Sequence, residues 1–134
     1  MVGYSGTPLA KKLGLKADGI IAVVNAPAGF ETALAPLPAG ARATRTPAGK
    51  PQLVLMFAAN LAELTKRFVP LAKKLDAAGA LWVAWPKKAS KVPTDLIEDV
   101  VRKIGLEAGL VDVKVCAVDE TWSGLKLVIR KELR

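Results

Sequence analysis

The chain has 134 residues, a formal net charge of +8, one cysteine, no histidine and an apolar half. That size suits one domain, residues 1–134, with a core that needs no disulfide or metal staple, and the positive mean hydropathy argues against intrinsic disorder. One Cys without His leaves no zinc-ligand spacing, so no metal is expected, and no apolar run reaches the ~18–20 residues of a membrane span.

Met1-Val2-Gly3-Tyr4-Ser5 lacks the basic-then-apolar order of a secretory signal. With Cys116 alone, the expectation is a soluble cytoplasmic protein in a reducing compartment. Charge is unevenly spread. Residues 1–94 carry 13 Lys/Arg against 4 Asp/Glu, whereas residues 95–134 carry 7 against 8. Such an excess favours nucleic acid or phosphorylated ligands as partners, or else is a solvated basic surface.

Thr7 as N-cap and Pro8 at the first helical position open a short helix that Gly14 ends. Ile20-Ile21-Ala22-Val23-Val24-Asn25 is apolar and β-branched without polar alternation, the pattern of a strand buried on both faces. Ala28 to Ala35 makes a short helix halted by Pro36-Leu37-Pro38. Ala41 to Thr46 is a weak strand, and Thr46 to Pro51 a turn. Gln52 to Ala58 is a second buried strand. Asn60 to Ala78 is a long helix with Leu61, Leu64, Phe68, Leu71 and Leu75 on its core stripe. Asn60 and Glu63 have capping-box spacing, Pro70 should kink it, and Gly79 should close it.

Leu81 to Trp85 reads as a strand running into the basic loop Pro86-Lys87-Lys88-Ala89-Ser90-Lys91. Asp95 to Ala108 is the next helix, capped by Thr94 or Asp95, with acids in its first turn and Gly109 after its end. Val111 to Val118 and Leu125 to Arg130 are the last strands. Residues 119–124 between them are too few for a parallel crossover, so these strands must be antiparallel. The expected fold is α/β and three-layered, a Rossmann-like, mostly parallel six-stranded sheet. Numbered along the chain, its strands take the order 2-1-3-4-6-5 with the last antiparallel.

Gly109 to Val115 after a helix, followed by Leu125 to Lys131, resembles the end of class I methyltransferases, whose final hairpin inserts its last strand antiparallel. That resemblance implies S-adenosylmethionine. The first-strand turn, Asn25-Ala26-Pro27-Ala28-Gly29, departs from the family in having one glycine and a proline without an amide proton. Ala41 to Thr46 also lacks the carboxylate that would hold ribose hydroxyls. Tyr4 to Leu13, Trp85 to Lys88, Pro93 to Leu96 and Val115 to Glu120 together resemble a bacterial family of small proteins known only as a domain of unknown function. That second resemblance implies a bacterial protein but no activity.

In a doubly wound sheet, ligands bind outside the carboxyl ends of the strands. Asn25 and Gly29, Asn60, the stretch containing Trp85, Lys87, Lys88, Ser90, Lys91 and Thr94, and the turn containing Asp119 and Trp122 should all meet there. The basic loop is either an anion site ahead of a helix N-terminus or a solvated loop balancing Asp95, Glu98 and Asp99. Trp85 and Trp122 either stack a planar ligand or lid the core. Asp119 and Glu120 point apart on extended backbone and make a poor catalytic dyad. Without a histidine to activate it, Cys116 reads as a buried thiol.

These features make a non-catalytic binding module for an anionic or planar small ligand, such as a phosphate-bearing one, the leading expectation. The alternatives are a divergent S-adenosylmethionine-dependent methyltransferase and a weak, non-specific nucleic-acid binder.

Overall fold

The computed structural model describes residues 8–133. Six strands form one sheet: β1 (Ile20–Val24), β2 (Arg42–Thr44), β3 (Leu53–Phe57), β4 (Ala80–Pro86), β5 (Leu110–Ala117) and β6 (Trp122–Ile129). Their order is β2-β1-β3-β4-β6-β5. The pairs β1/β2, β1/β3 and β3/β4 are parallel, and β6 runs antiparallel to both β4 and β5. The expected order and the single reversed strand are both present.

Four helices flank the sheet: α1 (Leu9–Leu13), α2 (Phe30–Leu34), α3 (Leu61–Lys74) and α4 (Glu98–Glu107). Alternation along the strands sends successive side chains to opposite faces and so divides the core in two. On one face Leu64, Phe68 and Leu71 of α3 and Val101 of α4 join Val54, Met56, Val83, Trp85 and Leu127. On the other, Leu13 of α1 and Phe30 and Leu34 of α2 join Val23, Leu55, Phe57 and Trp82. Trp82 is fully buried, and its indole N–H donates to the Leu13 carbonyl at 2.9 Å, which fixes α1 to the sheet.

Helix ends depart from the sequence reading for identifiable reasons. Thr7 lies outside the described residues, and Pro8 occupies the N-cap of α1 rather than its first turn. Helix α3 stops at Lys74, because Leu75 turns extended and buries its side chain. Asp76 then folds a local turn: its carboxylate accepts from the Ala78 amide and its carbonyl from the Gly79 amide. Pro70 lies inside the helix, where it takes away the bond to the Lys66 carbonyl.

Helix α4 starts at Glu98, three residues later than Asp95, with Ile97 at its N-cap and no side-chain cap. Neither expected cap is available to it. Thr94 accepts from the Leu96 amide through Oγ1, and the Asp95 carboxylate serves a different helix, α3. Strand β6 begins at Trp122 instead of Leu125. Asp119 Oδ1 accepts from the amides of both Thr121 and Trp122 at 2.8 Å, so the hairpin closes tightly and pairing starts early.

Gly105 on α4 and Gly124 on β6 are both buried against large side chains. A Cβ on Gly105 would sit 2.7 Å from Leu127 Cδ2, and one on Gly124 3.1 Å from Trp82 Cε3. No helix among the described residues is long and apolar enough to cross a membrane.

Candidate functional site at the carboxyl edge of the sheet

The parallel strands β1 to β4 end on one edge. Asn25 follows β1 directly and takes a left-handed conformation at φ 60°, which Asn tolerates better than most residues. That geometry sends its amide across the sheet. Asn25 Nδ2 donates to the Phe57 carbonyl at the end of β3 (2.9 Å) and to Glu63 Oε1 (3.0 Å). Glu63 Oε1 also accepts from the Ala59 amide, while the Glu63 amide donates to Asn60 Oδ1 at 2.9 Å. The Asn60 half of a capping box is thus formed, with Asn in the Ser/Thr role, while the Glu63 carboxylate reaches one residue further back, to Ala59.

Asp95 completes this cluster by accepting from the Leu61 amide at 2.7 Å. Asn25 and Asn60 do meet, through Glu63. The crevice between β1 and β3, where the strand order reverses, is thus spanned by protein hydrogen bonds. Two carboxylates occupy the positive end of α3.

Open space lies on the other side of β1. A cleft of about 620 Å³ is lined by Val23, Asn25 to Gly29, Glu31 and Ala43 to Arg45. It sits between the β1–α2 turn and the end of β2, because Ile21 and Ala43 are register partners on the α2 face. Gly29, at φ 81°, turns the chain into α2. Arg45 and Glu31 face each other at 3.4 Å, their side chains 88% and 58% exposed. Thr44 Oγ1 donates to the Thr46 carbonyl.

Of the residues singled out in the sequence, Asn25 and Gly29 line this cleft. The others do not. Trp85 is 5% exposed and packed among the α3 and α4 side chains. Trp122 stands edge-on to Phe57, with ring centres 5.0 Å apart. Strand β4, which leads to the basic loop, is three strands from β2, about 14 Å at ~4.8 Å per strand.

Within that loop, Ser90 Oγ donates to the Lys87 carbonyl and Lys91 is left-handed. The Lys87 amide donates to the Thr121 carbonyl, tying loop to hairpin. Lys88 and Lys91 are exposed and Lys87 half-buried. The helix that follows does not offer acids to these lysines. Glu98 and Asp99 both pair with Arg102, which also holds Asp112 at 2.9 Å.

The Arg102 hydrogen bond keeps the Asp112 carboxyl below its ordinary range. Its carboxylate neighbours in turn push the guanidinium up, Glu98 most of all. Cys116 is half-buried rather than buried, and that burial raises its thiol against the opposing pull of Lys12 and Lys114, which disfavours the thiolate.

Sequence reasoning missed Glu63 as the bridge and Glu31, Thr44 and Arg45 as cleft residues. A signal for Arg45 was present: a basic residue closes the second strand where a ribose-holding carboxylate would stand.

No family model matches the chain, and no curated protein matches it. Among solved structures, it is similar to a SAM-dependent methyltransferase from Aquifex aeolicus. The two superpose with a TM-score of 0.62 at 14% identity, over 90% of this chain and 87% of that one. The chain has the Rossmann-like fold of methyltransferases.

Proposed function

We propose that the chain is a non-catalytic binding module for a small nucleotide-like ligand, seated in the cleft between the Asn25–Gly29 turn and the end of β2. The cleft carries this reading. Its ~620 Å³ falls within the range of small-molecule pockets, and it opens at the carboxyl edge, where open α/β sheets take their ligands. Val23, Ala26, Pro27, Ala28 and Ala43 offer apolar wall for a planar group, and Arg45 offers a charge for an anionic one.

The lining argues against chemistry. Its titratable side chains are Glu31 and Arg45, already paired with each other in water. An acid–base or nucleophilic mechanism needs a poised group beside the reacting atom.

The shared fold favours S-adenosylmethionine as a second ligand to test. Pro27, which gives the turn one amide fewer, and Arg45 in place of a carboxylate weigh against it. Calorimetry with S-adenosylmethionine and a panel of phosphate-bearing nucleotides separates the two. Binding of a nucleotide that survives Lys87→Ala/Lys88→Ala/Lys91→Ala supports the cleft. Loss of binding in that triple variant moves the site to the basic loop, and micromolar S-adenosylmethionine binding favours the methyltransferase reading.

A further inference from the structure

Resting on the cleft as the ligand seat, we infer that its ligand is a nucleotide with a phosphate esterified to the ribose, read by Arg45 and restrained by Glu31. The argument begins with β2. In a doubly wound sheet, the side chain at the end of the second strand faces the ribose of a nucleotide held against the first strand's turn. A carboxylate there accepts hydrogen bonds from free sugar hydroxyls. A guanidinium has no acceptor and cannot serve a diol in that way. Its planar fork instead matches the oxygens of a phosphate ester.

Here β2 pairs with β1 in parallel, from Ile20 opposite Arg42 to Ala22 opposite Thr44. Arg45 is therefore the first residue past the strand, and it lines the cleft. Neither Ala43 nor Thr44 supplies a carboxylate at that end. The charge at this position is reversed relative to a diol-binding site.

Glu31 gives the site a second property. It projects from α2 and meets Arg45 at 3.4 Å, both side chains well exposed. An exposed ion pair of this kind is weak. A phosphate monoester, with close to two negative charges at neutral pH, outcompetes one carboxylate for the guanidinium. Glu31 thus occupies Arg45 when the cleft is empty and opposes any ligand whose charge is too small to displace it. Arg45 supplies the preference for the ribose phosphate, and Glu31 holds that preference in check.

The experiment is calorimetry with adenosine 2′,5′-bisphosphate and adenosine 5′-monophosphate as matched probes, on the parent, Arg45→Ala and Glu31→Gln. Both side chains are exposed, so the fold should be kept, with melting curves as the check. The bisphosphate should bind the parent at least about tenfold more tightly, roughly 1.4 kcal/mol. Arg45→Ala should erase that ratio, and Glu31→Gln should widen it by tightening the bisphosphate more than the monophosphate. Equal affinities in the parent, or a ratio untouched by Arg45→Ala, overturn the ribose-phosphate reading while leaving the cleft a nucleotide seat. Absence of binding for both probes at millimolar concentration removes the seat itself.

Discussion

The backbone amide of Leu61, the first residue of α3, donates to the carboxylate of Asp95 at 2.7 Å, across 34 positions of chain. A residue that looks in sequence like the start of one helix is the cap of another. It also pins the β4–α4 loop to the edge of the sheet beside Asn60.

Asp95→Ala should therefore weaken α3 rather than α4. The expected cost is about 1 kcal/mol, the usual value of a lost helix cap. Hydrogen exchange should report it as faster exchange of the Leu61 amide, with the α4 amides unaffected. Loss of protection concentrated at residues 98–101 would contradict this assignment.

Acid sensitivity should trace to Asp112. Its folded pKa is held down by Arg102, so between that value and the ordinary carboxylate value the unfolded chain binds more protons than the folded one. The stabilisation is present above about pH 4 and is lost as pH falls toward the depressed folded value. Urea midpoints measured downward from pH 5 should fall more steeply for the parent than for Asp112→Asn. Parallel curves would show that the Arg102 bond contributes nothing in that window.

Gly105→Ala sets two effects against each other. Alanine improves helix propensity by up to ~1 kcal/mol, but its Cβ would lie 2.7 Å from Leu127 Cδ2, and Leu127 is fully buried. Overpacking a core costs ~1–3 kcal/mol, so a net loss of about 1 kcal/mol is expected. Adding Leu127→Val should restore part of it. A stabilised single variant would mean that Leu127 moves aside freely.

Nucleic acid should bind weakly, at low salt only. Affinity for DNA should collapse between about 50 and 200 mM salt as neutralised phosphates cease to release counterions. Trp85 is buried and Trp122 packs on Phe57, so single strands should not quench tryptophan emission at the higher salt. Salt-resistant quenching would reveal a stacking surface.

Most of the sheet was legible in sequence because buried parallel strands such as Ile20–Val24 and Leu53–Phe57 carry their signal locally. That β5 and β6 are antiparallel followed from the short stretch between Asp119 and Gly124, and the placing of the last strand inside the sheet came with the methyltransferase resemblance. Helix ends were less legible. The start of α4 depended on Asp95 finding Leu61, a contact no local pattern encodes. The cleft depended on β2, three residues long with two of them polar, whose pairing decides that Arg45 confronts Glu31. Glu63 was visible as a capping residue, but its bond to Asn25 required β1 and β3 to be neighbours.

The two outer strands are where one sheet could be extended by another. At one border, β2 offers three residues, with exposed Arg42 among them and Arg45 just beyond. At the other, β5 exposes Val113 and Val115, yet its register shifts between Asp112 and Lys114. An incoming strand would meet a short charged border on one side and, on the other, a strand whose pairing with β6 is irregular beside a lysine. Both are devices that blunt edge-to-edge association, so the apolar surface of β5 is kept from becoming a seam for aggregation.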